Sequence, residues 1–353
     1  MNQLFAERFK SARLMNGFSL QDLSDNLGNS ISKQALHKYE KGEVLPDSEK
    51  MELLCNVFGL RPDYFTRDTV VVLDEIQFRK LEKFPKKEQY SIIERTKEML
   101  SRYLELEEIL GIKKPFKHPA PEFSEINSME DVEKFALKIR DEWKIGINPI
   151  PNVPELLEEN NIKVIEFNTE DGFDGMQTWV NNKEVPVIAL NVSKITSDDR
   201  KRFTALHELG HLLLPLNNVE HKVAEKYCNR FAGAMLFPKE AVKHEFGEKR
   251  KKISINELGI VKKQYGISIQ AIVYRLKDLG IISLHYMSYY FKYINEMGWK
   301  RDEPFEYKGK ERSDRFDLLI YRALFEDIIS MSKAASYKNM KLSEFKTKFL
   351  SVE

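Results

Sequence analysis

Apolar residues recur at helical spacing through most of the chain, and small or turn-forming residues mark where the helices begin and end. Residues 1–66 show five short segments of this kind, which predicts a compact helical unit. Gly17 follows the first apolar stretch and is suited to end a helix. Ser19, Ser32 and Asp47 are placed to cap the next three helices.

The pattern changes after residue 66. A charged, regular helical stretch runs from Lys86 to Leu110 and stops at Gly111, and three prolines follow it closely. This order predicts a helical connector over 67–124 with a proline-marked boundary near 112–125. The alternative is that the connector helix packs on the domain that follows and belongs to it.

Strand-like patterns appear only beyond a helix predicted near 131–143. In three short runs, apolar and polar residues alternate or all residues are apolar, and either pattern favours a strand. They are Ile162–Phe167, Met176–Val180 and Val185–Leu190. The turn at Asn181 and Asn182 predicts that the last two runs pair as a hairpin. From Ser197 onward the pattern is mainly helical, so we expect an α+β domain with a small, at least partly antiparallel sheet.

Composition sets limits on the class of protein. The chain has 353 residues, 42% apolar and 31% charged, with a net charge of +1. A chain of this length usually divides into more than one domain. The near-neutral charge excludes a polybasic or acidic tail as the functional element, so any contact with nucleic acid must be local.

The first residues of the chain and its two cysteines predict the cellular compartment. The first residues are charged at helical spacing and lead into no long apolar stretch, so neither a signal peptide nor a membrane anchor is predicted. Cys55 and Cys228 are far apart, and each lies in an apolar helical pattern. Buried, reduced thiols are therefore expected, and a cytoplasmic location with them.

One short motif carries a specific chemistry. His207, Glu208 and His211 form an H-E-x-x-H sequence, and the four-residue spacing places both imidazoles on one helix face. Burying two imidazoles and a carboxylate among apolar neighbours is costly unless a partner satisfies them. The motif therefore predicts a bound metal ion, against the alternative of histidines that merely pack or hydrogen-bond.

A catalytic zinc ion takes three protein ligands, so a third ligand must come from elsewhere. His221, Glu220, Glu225 and His244 are all near enough in sequence. Glu225 is the best candidate because it lies on a new helix, where Asn229 follows one turn later. Asn229 could then hydrogen-bond a ligand of the metal and hold it in place.

Chemical roles follow from these positions. His207, His211 and Glu225 would hold one Zn²⁺ ion, which makes a water molecule easier to deprotonate, and Glu208 would accept the proton and pass it to the leaving amine. A further donor should stabilise the tetrahedral oxyanion. The side chains that could supply it are His221, Tyr227 and His244, and the sequence does not select among them.

Four segments around these residues resemble the ImmA/IrrE metallopeptidases, which are similar to thermolysin-like zincins. They are FDGM at 173–176, PVIALN at 186–191, DRKRFTALHELGHLLL at 199–214 and EKYCNRFAGAMLFP at 225–238. The resemblance covers about 130–240, and more weakly 268–282 and 322–335. It implies zinc ligands at His207, His211 and Glu225, a catalytic Glu208, and cleavage of a transcriptional repressor. Cys228 stands where the family often has alanine.

Residues 18–42 are similar to the two central helices of XRE-type domains, the phage repressor and Cro-like helix-turn-helix proteins. In such domains the second helix enters the major groove. The side chains expected to contact DNA are Ser32, Lys33, Gln34, His37 and Lys38. The resemblance also implies an internal ion pair between Arg13 and Glu40.

Two features weaken the DNA-binding interpretation. Residues 1–66 contain eight Lys and Arg against nine Asp and Glu, so the strong basic field of many DNA-binding domains is missing. Leu20 replaces a polar residue that XRE-type domains often use to contact phosphate. The alternative is a helical module for protein contacts or dimerisation, and a homodimer fits either interpretation.

A second helix-turn-helix-like pattern spans 258–282, with Ser268 as a cap and Gly280 as a stop. It is interpreted as part of the protease domain, either shaping the substrate cleft or packing as core. The core interpretation rests on four apolar positions, Ile260, Ile267, Ile272 and Leu276. The aromatic run 285–293 is likewise expected in core or interface rather than as a platform for bases.

The combined prediction is an α+β, predominantly helical protein. Its predicted parts are a five-helix helix-turn-helix domain at 1–66, a helical connector at 67–124, a zincin-like metallopeptidase domain with a small mixed sheet at 125–293, and a helical C-terminal region at 294–353. The predicted function is a DNA-binding zinc endopeptidase that cleaves a repressor or antitoxin-like protein, with an operator DNA as second partner and no membrane. The alternative is a transcriptional regulator or antitoxin whose protease fold acts as a sensor or binding platform.

Overall fold

The computed structural model describes residues 2–67, 71, 85–112, 114–168, 174–181, 183–195 and 197–350. Its helices, in chain order, are α1 (Asn2–Met15), α2 (Leu20–Asn26), α3 (Lys33–Glu40), α4 (Ser48–Phe58), a 3₁₀ helix (Pro62–Thr66), α5 (Lys86–Ile109), α6 (Met129–Glu142), α7 (Val153–Glu159), α8 (Asp198–Leu213), α9 (His221–Leu236), α10 (Lys239–Phe246), α11 (Ile255–Tyr265), α12 (Ile269–Asp278), α13 (Leu284–Glu296), α14 (Arg315–Phe325), α15 (Met331–Tyr337) and α16 (Leu342–Leu350). The strands are β1 (Lys163–Phe167), β2 (Gly175–Val180) and β3 (Val185–Asn191). The expectation of a mostly helical protein with a small mixed sheet is confirmed.

The chain divides into two compact units. One comprises the described residues up to 114 together with 314–350, and the other comprises the described residues of 115–313. The first unit therefore combines the N-terminal helices, α5 and the C-terminal helices, a grouping that differs from the predicted separation at 67–124 and 294–353. The boundaries of the predicted domains stay predictions.

The N-terminal helices of the first unit begin and end where the caps were predicted. Ser19 forms a capping box with Asp22, and the side chains of Ser32 and Asp47 accept hydrogen bonds from backbone N–H groups one turn on. Gly17 adopts a φ of +63°, a conformation that glycine reaches without a steric cost. These helices enclose an aromatic core in which the rings of Phe5 and Phe9 contact Tyr39 of α3, so α3 is fixed against α1.

Helix α5 is held in the first unit by a buried ion network rather than left as an independent connector. Glu98 on α5 accepts contacts from Arg8 at 3.2 Å, Arg67 at 2.8 Å and Arg102 at 3.1 Å. Arg67 also donates a hydrogen bond to the hydroxyl of Ser336 on α15 at 3.3 Å. Glu98 thus links α1 to α5, and Arg67 extends the network to α15, because buried cations need a counter-ion nearby.

The second unit contains the sheet, whose order is β1-β3-β2. Strand β3 pairs in parallel with β1 and antiparallel with β2, so the predicted hairpin is confirmed. Asn182 of its turn lies outside the described residues. The central strand is buried along 186–191, and it packs with α6, α8, α9 and α12 around one apolar core.

The second helix-turn-helix-like pattern forms α11 and α12, with Ser268 as the N-cap of α12. Three of its four predicted core residues are fully buried, namely Ile267, Ile272 and Leu276. The prediction was wrong for Ile260, which is 65% exposed, because the buried face of α11 consists of Leu258, Val261 and Tyr265. In the aromatic run of α13, Tyr290 is buried and Tyr289 is exposed.

Cys55 and Cys228 are both buried free thiols, as predicted. Burial raises the pKa of Cys55 to about 11, so it stays protonated at neutral pH. Within the described ranges, no helix is long and apolar enough to cross a membrane.

Helix α8 is anchored by a fully buried ion pair. Arg202 on α8 contacts Glu311, and neither side chain is exposed to solvent. The same guanidinium donates to the carbonyl of Ile150 at 2.6 Å, and Glu311 accepts from the backbone N–H of Val153 at 3.0 Å. Burial raises the pKa of Glu311, and Arg202 opposes that shift. The segment around Glu311 therefore holds α8 and the start of α7 in fixed positions.

Replacing Glu311 by Gln should lower the free energy of unfolding by about 3 kcal/mol, because Arg202 would keep a buried charge without a counter-ion. Urea unfolding followed by circular dichroism measures the change. The matched control is Glu142→Gln, which breaks an exposed pair with Lys138 and should cost less than about 0.5 kcal/mol. Equal costs for the two variants would contradict the anchoring role.

Candidate metal centre and DNA-contacting face

Helix α8 presents the two motif histidines side by side. Its apolar residues, including Ala205, Leu206 and Leu209, are buried in the core, which fixes the rotation of the helix about its axis. His207 and His211 therefore share one face, and their rings lie 4.9 Å apart between centroids. The predicted geometry for the pair of imidazoles is thus present in the structure.

Helix α9 approaches α8 closely at Gly210, the residue that directly precedes His211 in the motif. A Cβ atom built on Gly210 would lie 3.2 Å from Cα of Cys228 and 3.2 Å from the ring of Phe231. Such contacts leave little room for any larger side chain. The short interhelical distance places Glu225, which is one turn before Cys228 and Asn229 on α9, opposite the histidine pair.

The three side chains meet at one point. Nε2 of His207 lies 3.2 Å from Nε2 of His211 and 3.3 Å from Oε2 of Glu225, and Nε2 of His211 lies 3.1 Å from Oε1 of Glu225. One ligand atom from each residue falls within 4.8 Å of the others, so the group could hold a metal ion. Glu225 was the favoured third ligand among the candidates considered from sequence.

These distances suit a tetrahedral ion. Ligand atoms about 2.0 Å from a tetrahedral zinc are separated from one another by about 3.3 Å. The two imidazole nitrogens here are 3.2 Å apart, and each lies 3.1 or 3.3 Å from one of the two oxygens of Glu225. Oε1 of Glu225 is also buried and accepts no hydrogen bond within the described part of the chain. A buried carboxylate oxygen without such a bond is costly unless a cation satisfies it. The residues therefore fit a divalent ion.

The pKa of Glu225 also fits the role of a metal ligand. The imidazoles of His207 and His211 hold the pKa of Glu225 well below its usual range. A lowered pKa keeps the carboxylate ionised at neutral pH, as a metal ligand must be.

Asn229 sets the orientation of His207. Its side-chain oxygen lies 3.0 Å from Nδ1 of His207, so Nδ1 carries the proton and donates it to Asn229. A neutral imidazole protonated at Nδ1 has its lone pair on Nε2, the atom that faces Glu225. This is the contact anticipated from the spacing of Glu225 and Asn229.

The side chain of Glu208 lies between α8 and the sheet, away from the two motif histidines. It is 2% exposed, and its Cγ lies 3.1 Å from the Cβ position of Gly175 at the start of β2. Gly175 therefore leaves space for Glu208 between α8 and the sheet, since any larger residue would collide with Thr204 at 2.8 Å. Phe173 of the FDGM segment lies outside the described residues.

The other candidates for the third metal ligand or the oxyanion donor lie outside the metal-holding group. Nε2 of His221 lies 3.6 Å from Oε1 of Glu225 but its side chain is 57% exposed, and His244 contacts Glu245 at 3.3 Å and is 79% exposed. Glu220 is the N-cap residue of α9 and is exposed. Tyr227 is buried. None of these four belongs to the metal-holding group found in the described residues.

His118 has a structural role that the sequence did not predict. Nδ1 of His118 accepts a hydrogen bond from the backbone N–H of Ala120 at 3.2 Å, so its Nε2–H donates to the carbonyl of Leu213 at 3.2 Å. Leu213 ends α8, and His118 therefore supports the end of the metal-holding helix. No spacing signal marks this role, because the two residues are 95 positions apart.

All five predicted DNA-contacting residues lie on the exposed side of the turn and helix α3. Lys33, Gln34, His37 and Lys38 are exposed, and Ser32 is exposed while its hydroxyl caps α3. Arg13 contacts Glu40 at 2.6 Å and also donates to the carbonyl of Phe18 at 2.6 Å. The ion pair implied by the resemblance is therefore present, and it ties α1 to the end of α3. Leu20 packs against the N-terminal core, which accounts for an apolar residue there.

Comparison with known proteins identifies the same two parts of the chain. Residues 157–277 match the M78 peptidase family described as the IrrE N-terminal-like domain, and residues 9–65 match the helix-turn-helix family. The SPbeta prophage-derived uncharacterized HTH-type transcriptional regulator YonR of Bacillus subtilis (strain 168) is 35% identical over 71 residues, which are 20% of this chain and 64% of that relative. The chain therefore carries an IrrE N-terminal-like domain together with an N-terminal helix-turn-helix domain.

Replacing His207, His211 or Glu225 by Ala should remove near-stoichiometric zinc from the purified chain, because two remaining ligands do not hold the ion. Replacing Asn229 by Ala should leave zinc bound with an affinity about 10–100-fold lower, since His207 loses its orienting partner. Metal content by plasma mass spectrometry and chelator competition measure the two effects.

The control for these variants is His244→Ala, an exposed histidine of the same unit that should leave zinc content unchanged. Full zinc occupancy in all three ligand variants would show that the ion binds elsewhere.

Proposed function

We propose that this chain is a DNA-binding zinc endopeptidase that controls transcription by cutting a repressor or antitoxin-like protein. The single observation that carries the proposal is the meeting of His207, His211 and Glu225 at distances that suit one tetrahedral ion. The match to the IrrE N-terminal-like domain supports a peptidase over other uses of such a site.

His207, His211 and Glu225 would hold one Zn²⁺ ion per chain. When bound, zinc supplies Lewis acidity, which polarises a peptide carbonyl and makes a water molecule easier to deprotonate. Asn229 would keep the lone pair of His207 directed at the ion through the 3.0 Å contact. Three such ligands would leave one coordination position open for water or substrate.

Glu208 would act as the general base and then as the general acid. It follows His207 directly on α8 and is almost completely buried, so it works in surroundings from which bulk water is excluded. A carboxylate there can accept a proton from the attacking water and return it to the amine of the cut peptide bond. No covalent bond between the chain and its substrate is needed.

The helix-turn-helix domain would bring the peptidase to DNA. The exposed residues of α3 reach outward as a recognition helix requires, and the Arg13–Glu40 pair fixes that helix on its own domain. Joining a DNA-binding domain to a peptidase raises the local concentration of the peptidase near an operator-bound protein. We therefore propose operator DNA and a neighbouring repressor as partners, and a homodimer for two half-sites.

A second candidate function is transcriptional regulation without proteolysis. It is favoured by the relative that is named an HTH-type transcriptional regulator. In this case the metal-holding domain would serve as a sensor or a binding platform. The two functions differ in whether they need Glu208, since a platform needs the metal ligands but no general base.

Replacing Glu208 by Gln should leave zinc content unchanged and reduce cleavage of the partner protein by at least about 100-fold, the usual contribution of a general base. Co-incubation with the protein encoded beside this chain, followed by gel electrophoresis with and without a chelator, measures it. The matched control is Glu220→Gln on the exposed start of α9, which should cut normally. Regulation that survives Glu208→Gln unchanged would favour the platform function.

For DNA recognition, Gln34→Ala should weaken binding to a preferred sequence by about 5–150-fold, the range for a lost base contact. The preferred sequence would first be selected from random duplexes by the full chain, and affinity measured by gel shift at a stated salt concentration. Lys33→Ala should weaken all sequences alike if it contacts phosphate.

Lys10→Ala is the control for both changes, because Lys10 is exposed on α1, away from the proposed reading helix. Selection that recovers no preferred sequence, or unchanged binding by Gln34→Ala, would contradict the proposed reading face.

A further inference from the structure

A cleft of about 1260 Å³ lies in the second unit between α8, α9, α12 and the segment 300–307. It is open to solvent and has both polar and apolar walls. Its volume exceeds the range of about 300–1,000 Å³ that small-molecule pockets usually occupy. The size therefore favours a polypeptide segment over a small ligand.

The cleft lies next to the metal-holding group, although His207, His211 and Glu225 do not themselves line it. Phe203, which lines it, lies one helical turn before His207, and Asn229, which also lines it, lies one turn after Glu225. Residues four apart share a helix face. Asn229 is moreover bonded to His207, so the cleft begins at the residue that orients a metal ligand.

The charge of the cleft is positive. Nine basic and six acidic side chains line it, in a chain whose net charge is only +1. Most buried lining charges are already paired: Lys262, for example, contacts Asp199 at 3.5 Å and Glu303 at 2.9 Å. The charges that remain accessible are thus the ones that can select a ligand.

Three exposed cations in the cleft are uncommitted. Lys226, Lys300 and Arg301 make no ion pair with any residue of the described ranges. Two lining carboxylates, Asp302 and Asp198, likewise make no ion pair within the described ranges, whereas the exposed Glu306 contacts Lys308 at 3.8 Å. Three unpaired cations therefore face two unpaired carboxylates in the cleft.

Apolar side chains lie among these charges. The ring of Phe203 is half-buried on α8, and Tyr274 of α12 is 52% exposed. Aromatic rings in a charged cleft suit a segment with apolar and acidic residues together.

We infer that this cleft binds an acidic, amphipathic segment of the protein substrate and places it beside the metal-holding group. The inference rests on the proposed function, since it assigns the substrate class of the same site. Lys226, Lys300 and Arg301 provide the charge selection, and Phe203 and Tyr274 contact the apolar side chains of the segment.

The experiment measures binding apart from cleavage. The zinc-loaded full chain carrying Glu208→Gln is titrated into fluorescein-labelled 12-residue peptides that share apolar residues and differ only in having acidic, neutral or basic residues between them. Fluorescence anisotropy should show the acidic peptide binding about tenfold more tightly than the neutral one, with a preference that falls as salt screens the charges. Unlabelled duplex DNA should not displace the acidic peptide.

The variant Lys226→Gln, Lys300→Gln, Arg301→Gln should remove the preference for the acidic peptide. Its matched control is Lys249→Gln, Lys251→Gln, Lys252→Gln, three exposed lysines of the same unit that do not line the cleft. Both triple variants change the net charge of the chain equally. Equal binding of all three peptides, equal losses in the two variants, or displacement by DNA would each overturn the inference.

A separate assay with the wild-type chain and its neighbouring gene product keeps the two proposals distinguishable. Cleavage of that protein without any acidic preference would overturn the cleft assignment alone. An acidic preference that depends on the three cations, in a chain that cuts nothing, would support the cleft as a binding site and contradict the peptidase proposal.

Discussion

The close approach of α8 and α9 at Gly210 is the constraint on which the candidate site depends. With no side chain at Gly210, the backbone near Cys228 packs within van der Waals distance of α8. Glu225 therefore lies across from His207 and His211, and the carboxylate and imidazoles converge without any contribution from a loop. Sites built on packed helices hold their geometry better than sites on loops. The packing of α8 and α9 in the core of the second unit therefore positions the metal-holding side chains.

Two further supports act on α8. The buried Arg202–Glu311 pair holds the first half of α8, and His118 donates a hydrogen bond to the carbonyl of Leu213 at its last turn. Neither residue contributes an atom to the metal-holding group. Both restrict movement of the helix, and Asn229 does the same for the ring of His207.

Much of this arrangement was predictable because local rules govern it. The caps at Ser19, Ser32 and Asp47, the hairpin of β2 and β3, and the facing imidazoles all follow from spacing over a few residues. Long-range contacts were not predictable. The position of α5 depends on Glu98 meeting arginines from distant segments, and Ile260 is exposed because the neighbours of α11 cover another face.

The central claim is that two imidazoles of α8 and one carboxylate of α9 share a single divalent ion. The most direct measurement is anomalous diffraction at the zinc absorption edge from crystals of the zinc-loaded chain. We expect one strong peak about 2.0–2.2 Å from Nε2 of His207, Nε2 of His211 and a carboxylate oxygen of Glu225. A peak elsewhere, or one that Glu225 does not reach, would contradict this claim.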